Sequence, residues 1–183
     1  MPIVKTSKEE LVIKAREVFE QRGYYYTSLA DLADACGVQK AHFYYYFKDK
    51  EDILREVLLL IDRHFRETIF PIAYDKSLPE AERLDKLLTK AERLFVRAGG
   101  CLMLDLLSET IKNSDEFTAL IGGFFDQLRR AFADLFRARY ARAEADALAE
   151  QGVNDLAGAL LFFRLNRNPA SLDRALDRIR TLL

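Results

Sequence analysis

The sequence has few of the residues that interrupt helices or cross-link small folds. Its 183 residues include only eight glycines, four prolines and two cysteines. Because glycine and proline are the poorest helix formers, their scarcity beside much Ala, Leu, Glu, Arg and Lys favours an all-α protein. Two cysteines form no disulfide framework, which excludes a disulfide-stapled secreted domain and indicates a reducing, cytoplasmic setting.

Long apolar runs and an excess of charge are also missing. No run reaches the roughly 18 residues that a membrane-spanning helix requires, and the N-terminal segment MPIVKTSKEE has no signal-peptide core. A formal net charge of −1 argues against a polybasic nucleic-acid coat or a membrane-surface protein. Since half of the residues are hydrophobic, we expect a cytoplasmic protein of one or two domains with a packed core and no membrane partner.

Residues suited to catalysis or metal binding are scarce. The two histidines, His42 and His64, have no cysteine, serine or carboxylate constellation that the sequence places beside them. No phosphate loop, zinc-ligand spacing or dinucleotide fingerprint occurs. We therefore expect no enzymatic activity, no cofactor and no metal.

The most informative stretch is residues 27–50, TSLADLADACGVQKAHFYYYFKDK. Thr27 or Ser28 is suited to cap a short helix. That helix has four apolar residues spaced i, i+3, i+4 and i+7, which form one buried stripe: Leu29, Leu32, Ala33 and Cys36. Gly37 suits a left-handed turn, and a second helix is predicted from about Gln39 to Phe47. Two short helices joined by a glycine turn are typical of a helix-turn-helix, whose second helix enters the DNA major groove.

The outer face of the second helix carries groups suited to DNA. Lys40, His42 and Tyr45 are predicted to approach base edges, whereas hydroxyls and the Lys50 ammonium suit phosphate oxygens. The predicted DNA-binding set is Thr27, Ser28, Gln39, Lys40, His42, Tyr44, Tyr45, Tyr46 and Lys50. Three consecutive tyrosines point about 100° apart on a helix, so at least one must face outward. The alternative is a packed corner of a helical protein, with tyrosines that serve packing only.

The same run resembles the DNA-binding region of the TetR (tetracycline-repressor-like) family of bacterial transcription regulators. The residues that carry the resemblance are Ala15, Phe19, Gly23, Thr27, Leu32, Ala33, Gly37, Val38, Ala41, Phe43, Tyr44, Tyr46, Phe47 and Lys50. The resemblance covers about the first 55 residues. Gln39 departs from the family's frequent serine and is a poorer cap, by about 1 kcal/mol. His42 stands where small residues or threonine are common, so a base contact by His42 would alter the site preference.

The rest of the chain reads as further helices. They are predicted from Thr6 or Ser7, from Asp49 to about Phe70, from Ser77 to Val96, from Cys101 to Ile111, from Ser114 onward, after Gly152, and after a turn at Asn166 to Pro169. With the helix-turn-helix, this makes about nine helices. We predict a helix-turn-helix DNA-binding domain over residues 1–50 and a helical ligand-binding and dimerisation domain over residues 51–183.

A phenylalanine-rich helix after Ser114 is more apolar than most surface helices. The resemblance implies an apolar ligand cavity formed mostly by helices four to seven, whereas the plainer interpretation is ordinary core. The candidate lining is Phe95, Leu102, Leu106, Phe117, Ile121, Phe124, Phe125 and Leu128. The expected effector is a small hydrophobic molecule.

The last two helices each carry an apolar stripe. In the family that the sequence resembles, these helices pair with their copies as a four-helix dimer interface, and a symmetric dimer suits a palindromic operator. The interface candidates are Leu156, Leu160, Phe163, Leu172, Leu176 and Ile179. The alternative is that these residues are buried within a single chain.

The resemblance implies a homodimeric regulator, most simply a repressor that a small hydrophobic effector releases from double-stranded operator DNA. Two alternatives remain open. Cys101, which follows Gly99 and Gly100 at a helix start, is either a small buried hydrophobe or a thiol whose oxidation switches DNA binding. The second alternative is that the protein is a helical ligand-binding protein that does not bind DNA.

Overall fold

A computed structural model describes residues 6–110 and 114–183. These residues form ten α-helices and no strand, which confirms the predicted all-α fold. The helices are α1 (Lys8–Arg22), α2 (Leu29–Cys36), α3 (Lys40–Tyr46), α4 (Lys50–Thr68), α5 (Phe70–Tyr74), α6 (Glu80–Ala98), α7 (Leu102–Thr110), α8 (Asp115–Phe136), α9 (Arg142–Asn166) and α10 (Ala170–Arg180). Only Ile69 separates α4 from α5, so counting these two as one bent helix gives the nine that were predicted.

Local capping signals fix the first two helices. Ser7 and Glu10 form a capping box at the start of α1, and Ser28 and Asp31 form another at the start of α2. In each box the serine oxygen accepts a backbone N–H while the acid accepts from the backbone of the serine. Gly37 ends α2 in the left-handed conformation, with φ +64°. These are the helix boundaries that the sequence predicts.

The end of the fourth predicted helix differs from the expectation. The structure ends α4 at Thr68, before the predicted end at about Phe70, and Pro71 lies in the first turn of α5. Proline is tolerated there because the first turn of a helix needs no backbone donor at that position. The buried Arg83 guanidinium then secures α5, since Nη1 donates to the Ala73 carbonyl at 2.8 Å and Nη2 pairs with Glu80.

The penultimate helix was predicted to begin after Gly152, and this boundary is wrong. Helix α9 begins at Arg142 and passes through Gly152, which is buried against the Phe132 ring of α8. A glycine inside a helix costs about 1 kcal/mol relative to alanine, and packing of the surrounding helix-forming residues overrides that cost. The predicted end of the sixth helix at Ile111 lies outside the described residues.

One apolar core runs from the first three helices into the bundle. Helix α4 connects the two parts because it buries Ile53 and Leu54 at its start and Phe65 near its end. The Phe65 ring lies 4.9 Å from the Phe124 ring of α8, measured between centroids. Within residues 6–110 and 114–183, no helix has both the length and the apolar run that crossing a bilayer requires.

Candidate nucleic-acid interface

Helices α2 and α3 form a compact corner around Gly37. Phe43 and Phe47 both face inward, with ring centroids 5.9 Å apart, and pack in the core that also contains Leu32 and Ala33. No side chain caps α3 at Gln39, as the sequence indicates. The inward phenylalanines therefore fix which face of α3 points to solvent.

That outward face presents tyrosines and lysines. Tyr44 is 59% exposed and Tyr45 is 78% exposed, which confirms that the core does not take all three consecutive tyrosines. Tyr46 is half-buried, with its ring edge-on to Tyr45 at 4.8 Å between centroids. Lys40 and Lys48 are exposed on either side. Aromatic rings, hydroxyls and positive charge thus share one accessible surface, a combination suited to a nucleic-acid backbone and groove.

His42 is held against the N-terminal segment. Its Nε2 lies 3.2 Å from the carbonyl oxygen of Thr6, and its ring is edge-on to Tyr46 at 5.5 Å between centroids. A carbonyl oxygen only accepts, so Nε2 must carry the hydrogen, which leaves Nδ1 of a neutral ring as an acceptor. The half-buried ring is therefore oriented by the protein, and its predicted base contact stays a prediction.

Three residues of the predicted DNA-binding set make hydrogen bonds within the protein. The buried Thr27 hydroxyl donates to the Gly23 carbonyl at 2.7 Å. Lys50 Nζ donates at 2.9 Å to each of the carbonyl oxygens of Tyr24 and Thr27. The Ser28 hydroxyl is used in the α2 capping box. Their DNA contacts stay predictions, but the structure gives all three a role in holding residues 23–28.

Tyr25 and Tyr26, in the loop between α1 and α2, are two further tyrosines beside the predicted DNA-binding set. Tyr26 is 89% exposed and Tyr25 is more than half exposed, whereas Tyr24 is buried. Burial raises the pKa of Tyr24 to about 12. The run of three consecutive tyrosines outside a helix could have indicated exposed aromatic residues from the sequence, because only one of the three reaches the core.

The predicted ligand-cavity residues lie inside the bundle. All are buried except Phe125, which is half-buried. Phe124 is edge-on to Phe125, with 5.2 Å between centroids, and also contacts Phe65 and Phe70. A surface groove of about 480 Å³ lies nearby, between the end of α4, α5 and α8. Its lining is Arg66, Phe70, Pro71, Tyr74, Asp75 and Gln127, which shares no residue with the predicted set, so the ligand lining stays a prediction.

The six predicted dimer residues are buried within the chain itself. Leu156, Leu160 and Phe163 of α9 face inward in the single protomer, as do the three candidates of α10 (Leu172, Leu176 and Ile179). The large apolar residues that α9 leaves exposed are Leu161, Phe162 and Leu165. A groove of about 320 Å³ borders this surface, lined by Asn154, Asp155, Gly158, Ala159, Phe162, Ser171, Arg174 and Arg178. The two apolar stripes therefore pack the helices onto their own bundle, and a different face is available to a second copy.

Cys101 is buried, and burial raises the pKa of its thiol to about 12. Backbone N–H groups of Met103 and Leu104 oppose that shift without overcoming it. A thiol with so high a pKa holds almost no thiolate near neutral pH, which is the reactive form. Packing is therefore the role that the geometry favours for Cys101.

Taken together, the corner of α2 and α3 and the helical bundle behind it define an all-α helix-turn-helix protein. Residues 11–57 match the family described as bacterial regulatory proteins, tetR family. The chain belongs to the TetR family.

Similarity to known members extends well beyond the matched segment. The chain is 29% identical to the transcriptional regulator AcuR of Cereibacter sphaeroides over 180 residues, covering 93% of this chain and 82% of AcuR. It is 32% identical to the regulator RutR of Escherichia coli K12 over 133 residues, covering 66% of this chain and 63% of RutR, less than two thirds of that protein. The crystal structure of a regulatory protein TetR from Rhodobacter sphaeroides aligns with a TM-score of 0.83 at 27% identity, covering 95% of this chain and 97% of that one.

Proposed function

We propose that the protein is a homodimeric transcription repressor that binds palindromic operator DNA and is released by a small hydrophobic effector. The observation that carries this proposal is the outward face of α3. Phe43 and Phe47 anchor the helix from behind, and Lys40, Tyr44 and Tyr45 project into solvent. The domain division follows, with residues 1–50 binding DNA and residues 51–183 binding effector and partner.

On DNA, α3 lies in the major groove. Lys40 and Tyr45 face base edges together with the Nδ1 acceptor of His42. Tyr44 and Tyr46 donate their hydroxyls to phosphates, and Lys48 adds charge next to them. The backbone N–H groups at the start of α2, near Ser28, point to a second phosphate.

Dimerisation uses the exposed face of α9. Leu161, Phe162 and Leu165 form an apolar strip there, flanked by the exposed arginines Arg174 and Arg178 of α10. A two-fold axis across this strip brings each apolar residue against its copy, as an isologous contact requires. The six buried candidates support this face from inside the protomer.

The effector acts on the bundle. The phenylalanines around Phe124 are the apolar surface that a hydrophobic molecule would enter, and the groove beside Phe70 and Tyr74 is an opening toward it. An effector that prefers a bundle conformation with the two α3 helices out of register lowers operator affinity. A coupling of ~1–3 kcal/mol corresponds to about 5- to 150-fold.

The test is binding of the purified protein to the intergenic DNA upstream of its own gene, followed by fluorescence anisotropy across a salt series against a random duplex. Saturable binding at one dimer per site, above the random control and steeply weakened by salt, supports the proposal. Equal weak binding to both duplexes, with little salt dependence, contradicts it and favours a helical ligand-binding protein that does not bind DNA.

A further inference from the structure

One hydrogen bond from α7 and one from α9 join the bundle to the backbone of the helix-turn-helix unit. Arg164, near the end of α9, donates from Nη2 to the Glu20 carbonyl in the last turns of α1, at 2.8 Å. Glu109, near the end of α7, accepts the N–H of Tyr25 on Oε2 at 2.9 Å. Both bonds are made to main-chain atoms, of Glu20 and Tyr25. They therefore hold α1 and the loop after it in place independently of the side chains at these two positions.

Arg164 lies at a junction of several helices. Its Nε is 3.7 Å from Oδ2 of Asp105 in α7, and its Nη1 is 3.5 Å from the Gly99 carbonyl at the end of α6. Its side chain is 27% exposed. A planar guanidinium has five donors in a fixed fork, so one side chain can set α9, α7, α6 and α1 relative to each other.

Glu109 acts on the loop that leads into α2. Gly23 has φ +82°, and the Glu109 carboxylate lies against it, since a Cβ built on Gly23 would be 3.4 Å from Oε1. On the other side the loop is held by Lys50, whose ammonium bonds the carbonyls of Tyr24 and Thr27. Burial lowers the pKa of Lys50, and the negative charge of Glu109 opposes this shift, which places the two charges within electrostatic reach. The loop is therefore held between α7 and α4.

We propose that Arg164 and Glu109 are positioning residues that set the orientation of the helix-turn-helix unit on the bundle. Movement of α7 or α9 then moves α1 and the start of α2, and with them the separation of the two α3 helices in a dimer. This inference rests on the proposed function for its consequence on DNA, but the positioning itself is independent of it.

The test compares Arg164→Met with Arg167→Met. Methionine keeps much of the length and removes the donors in both cases. Arg167 is a matched control because its Nη1 donates to the same Gly99 carbonyl, at 2.9 Å, while its bond reaches the bundle and not α1. Arg164→Lys restores a positive charge and a single donor nitrogen, and Glu109→Ala removes the second contact separately.

The first measurement is the distance distribution between spin labels within one chain, without DNA. Labels are placed on Asp34→Cys in α2 and Glu150→Cys in α9, both exposed positions, with Cys36 and Cys101 replaced by alanine. Labelled protein is diluted with unlabelled protein so that only distances within a chain are detected. Arg164→Met and Glu109→Ala are expected to broaden or shift the distribution, and Arg167→Met is expected to leave it unchanged.

The second measurement is DNA affinity. Arg164→Met is expected to weaken operator binding by at least about fivefold, while binding to random duplex stays within about twofold because the phosphate-facing groups are intact. Arg164→Lys should recover part of the loss. Circular dichroism checks that each variant is folded. If Arg164→Met does not fold, the spin-label distances in Glu109→Ala test the positioning role instead.

Unchanged distance distributions in folded Arg164→Met and Glu109→Ala would overturn the inference. If wild-type protein shows no operator preference, the proposed function fails instead, and the spin-label distances still decide whether these residues position the unit.

Discussion

The ammonium of Lys50 lies 4.1 Å from the centre of the Tyr24 ring. The same nitrogen donates at 2.9 Å to the Tyr24 carbonyl and to the Thr27 carbonyl. A lysine that the sequence predicts to face a phosphate thus closes the loop between α1 and α2 onto the first turn of α4. Burial lowers the pKa of Lys50, whereas the cation–π contact and the two hydrogen bonds to backbone oxygens stabilise its ammonium form.

Lys50→Met should therefore lower the free energy of unfolding. We expect a loss of about 1–3 kcal/mol, because the change leaves two carbonyl oxygens without their donor. Lys48→Met is the matched control, since Lys48 is exposed, and a surface change of this kind usually stays within about 0.5 kcal/mol. Urea denaturation of both variants gives the comparison. Equal stability of the two would show that the Lys50 contacts contribute nothing to the fold.

The outward face of α3 gives a prediction about specificity. Lys40→Ala should weaken the operator by about 1–3 kcal/mol relative to random DNA, because a base contact is lost. Tyr44→Phe should weaken both duplexes similarly, because a phosphate contact carries no sequence information. Anisotropy titrations with both duplexes measure the two ratios. An equal loss at operator and random DNA for Lys40→Ala would remove its base-reading role.

The two cysteines should differ in reactivity. Cys101 is buried with its pKa raised to about 12, whereas Cys36 is only partly buried and burial raises its pKa as well. With Ellman's reagent at about pH 8, Cys101 in a Cys36→Ala protein should react only as fast as the protein unfolds, and Cys36 in a Cys101→Ala protein should react sooner. Rapid labelling of Cys101 in the folded protein would support the hypothesis that its oxidation switches DNA binding. The Cys101→Ser variant would then test that hypothesis, because its DNA binding should resist oxidant.

Asp105, a half-buried acid beside Arg164, gives the stability of the fold a pH dependence. Burial raises the pKa of Asp105, and the nearby Arg164 charge only partly offsets this. A carboxyl whose pKa is higher in the folded state binds its proton more tightly there, so it stabilises the fold on the acid side, and that contribution is lost as pH rises through the folded pKa. Asp105→Asn removes this dependence. Its stability relative to wild type should thus improve as the pH rises from the ordinary aspartate pKa through the raised pKa of Asp105.

Urea denaturation at several pH values measures this difference. Glu150→Gln is the control, since Glu150 is exposed on α9 and its replacement should shift the pH profile little. A constant difference between Asp105→Asn and wild type across the range would mean that Asp105 titrates normally in the folded protein.

Sequence patterns predicted the parts of this molecule that depend on near neighbours. The Ser7 and Ser28 capping boxes and the Gly37 turn each involve residues within a few positions, so the local sequence determines them. The α9 boundary at Gly152 was wrong because packing against Phe132, far along the chain, overrides local preference.

Local sequence patterns could not predict the polar contacts that organise the candidate site. Lys50 bonds carbonyls that lie 26 and 23 residues away, and Arg164 bonds the Glu20 carbonyl 144 residues away. Every residue has a backbone carbonyl, so the sequence does not show which carbonyl a distant lysine or arginine will bond. Likewise, an apolar stripe shows that a helix has a buried face but not whether its own chain or a second copy covers it, which is why the α9 and α10 stripes were assigned to the dimer.

The exposed strip of α9 is the surface that we propose for contact with a second copy. Phe162→Glu and Leu165→Glu place charges where copies would meet, and burying an unpaired carboxylate in an apolar contact is strongly unfavourable. Each variant should shift the mass in light scattering from two chains to the 21.1 kDa of one. Tyr74→Glu is the control, because Tyr74 is also an exposed aromatic residue but lies on α5.

Stability separates this surface from the core behind it. The glutamate variants should unfold at nearly the same urea concentration as wild type when all are compared at a dilution where wild type is monomeric. Leu160→Ala, at a buried position on the same helix, should instead cost about 2–5 kcal/mol in that assay. Retention of the dimer by both glutamate variants would mean that the two copies meet on another face, and the two-fold arrangement of the α3 helices would then need a different axis.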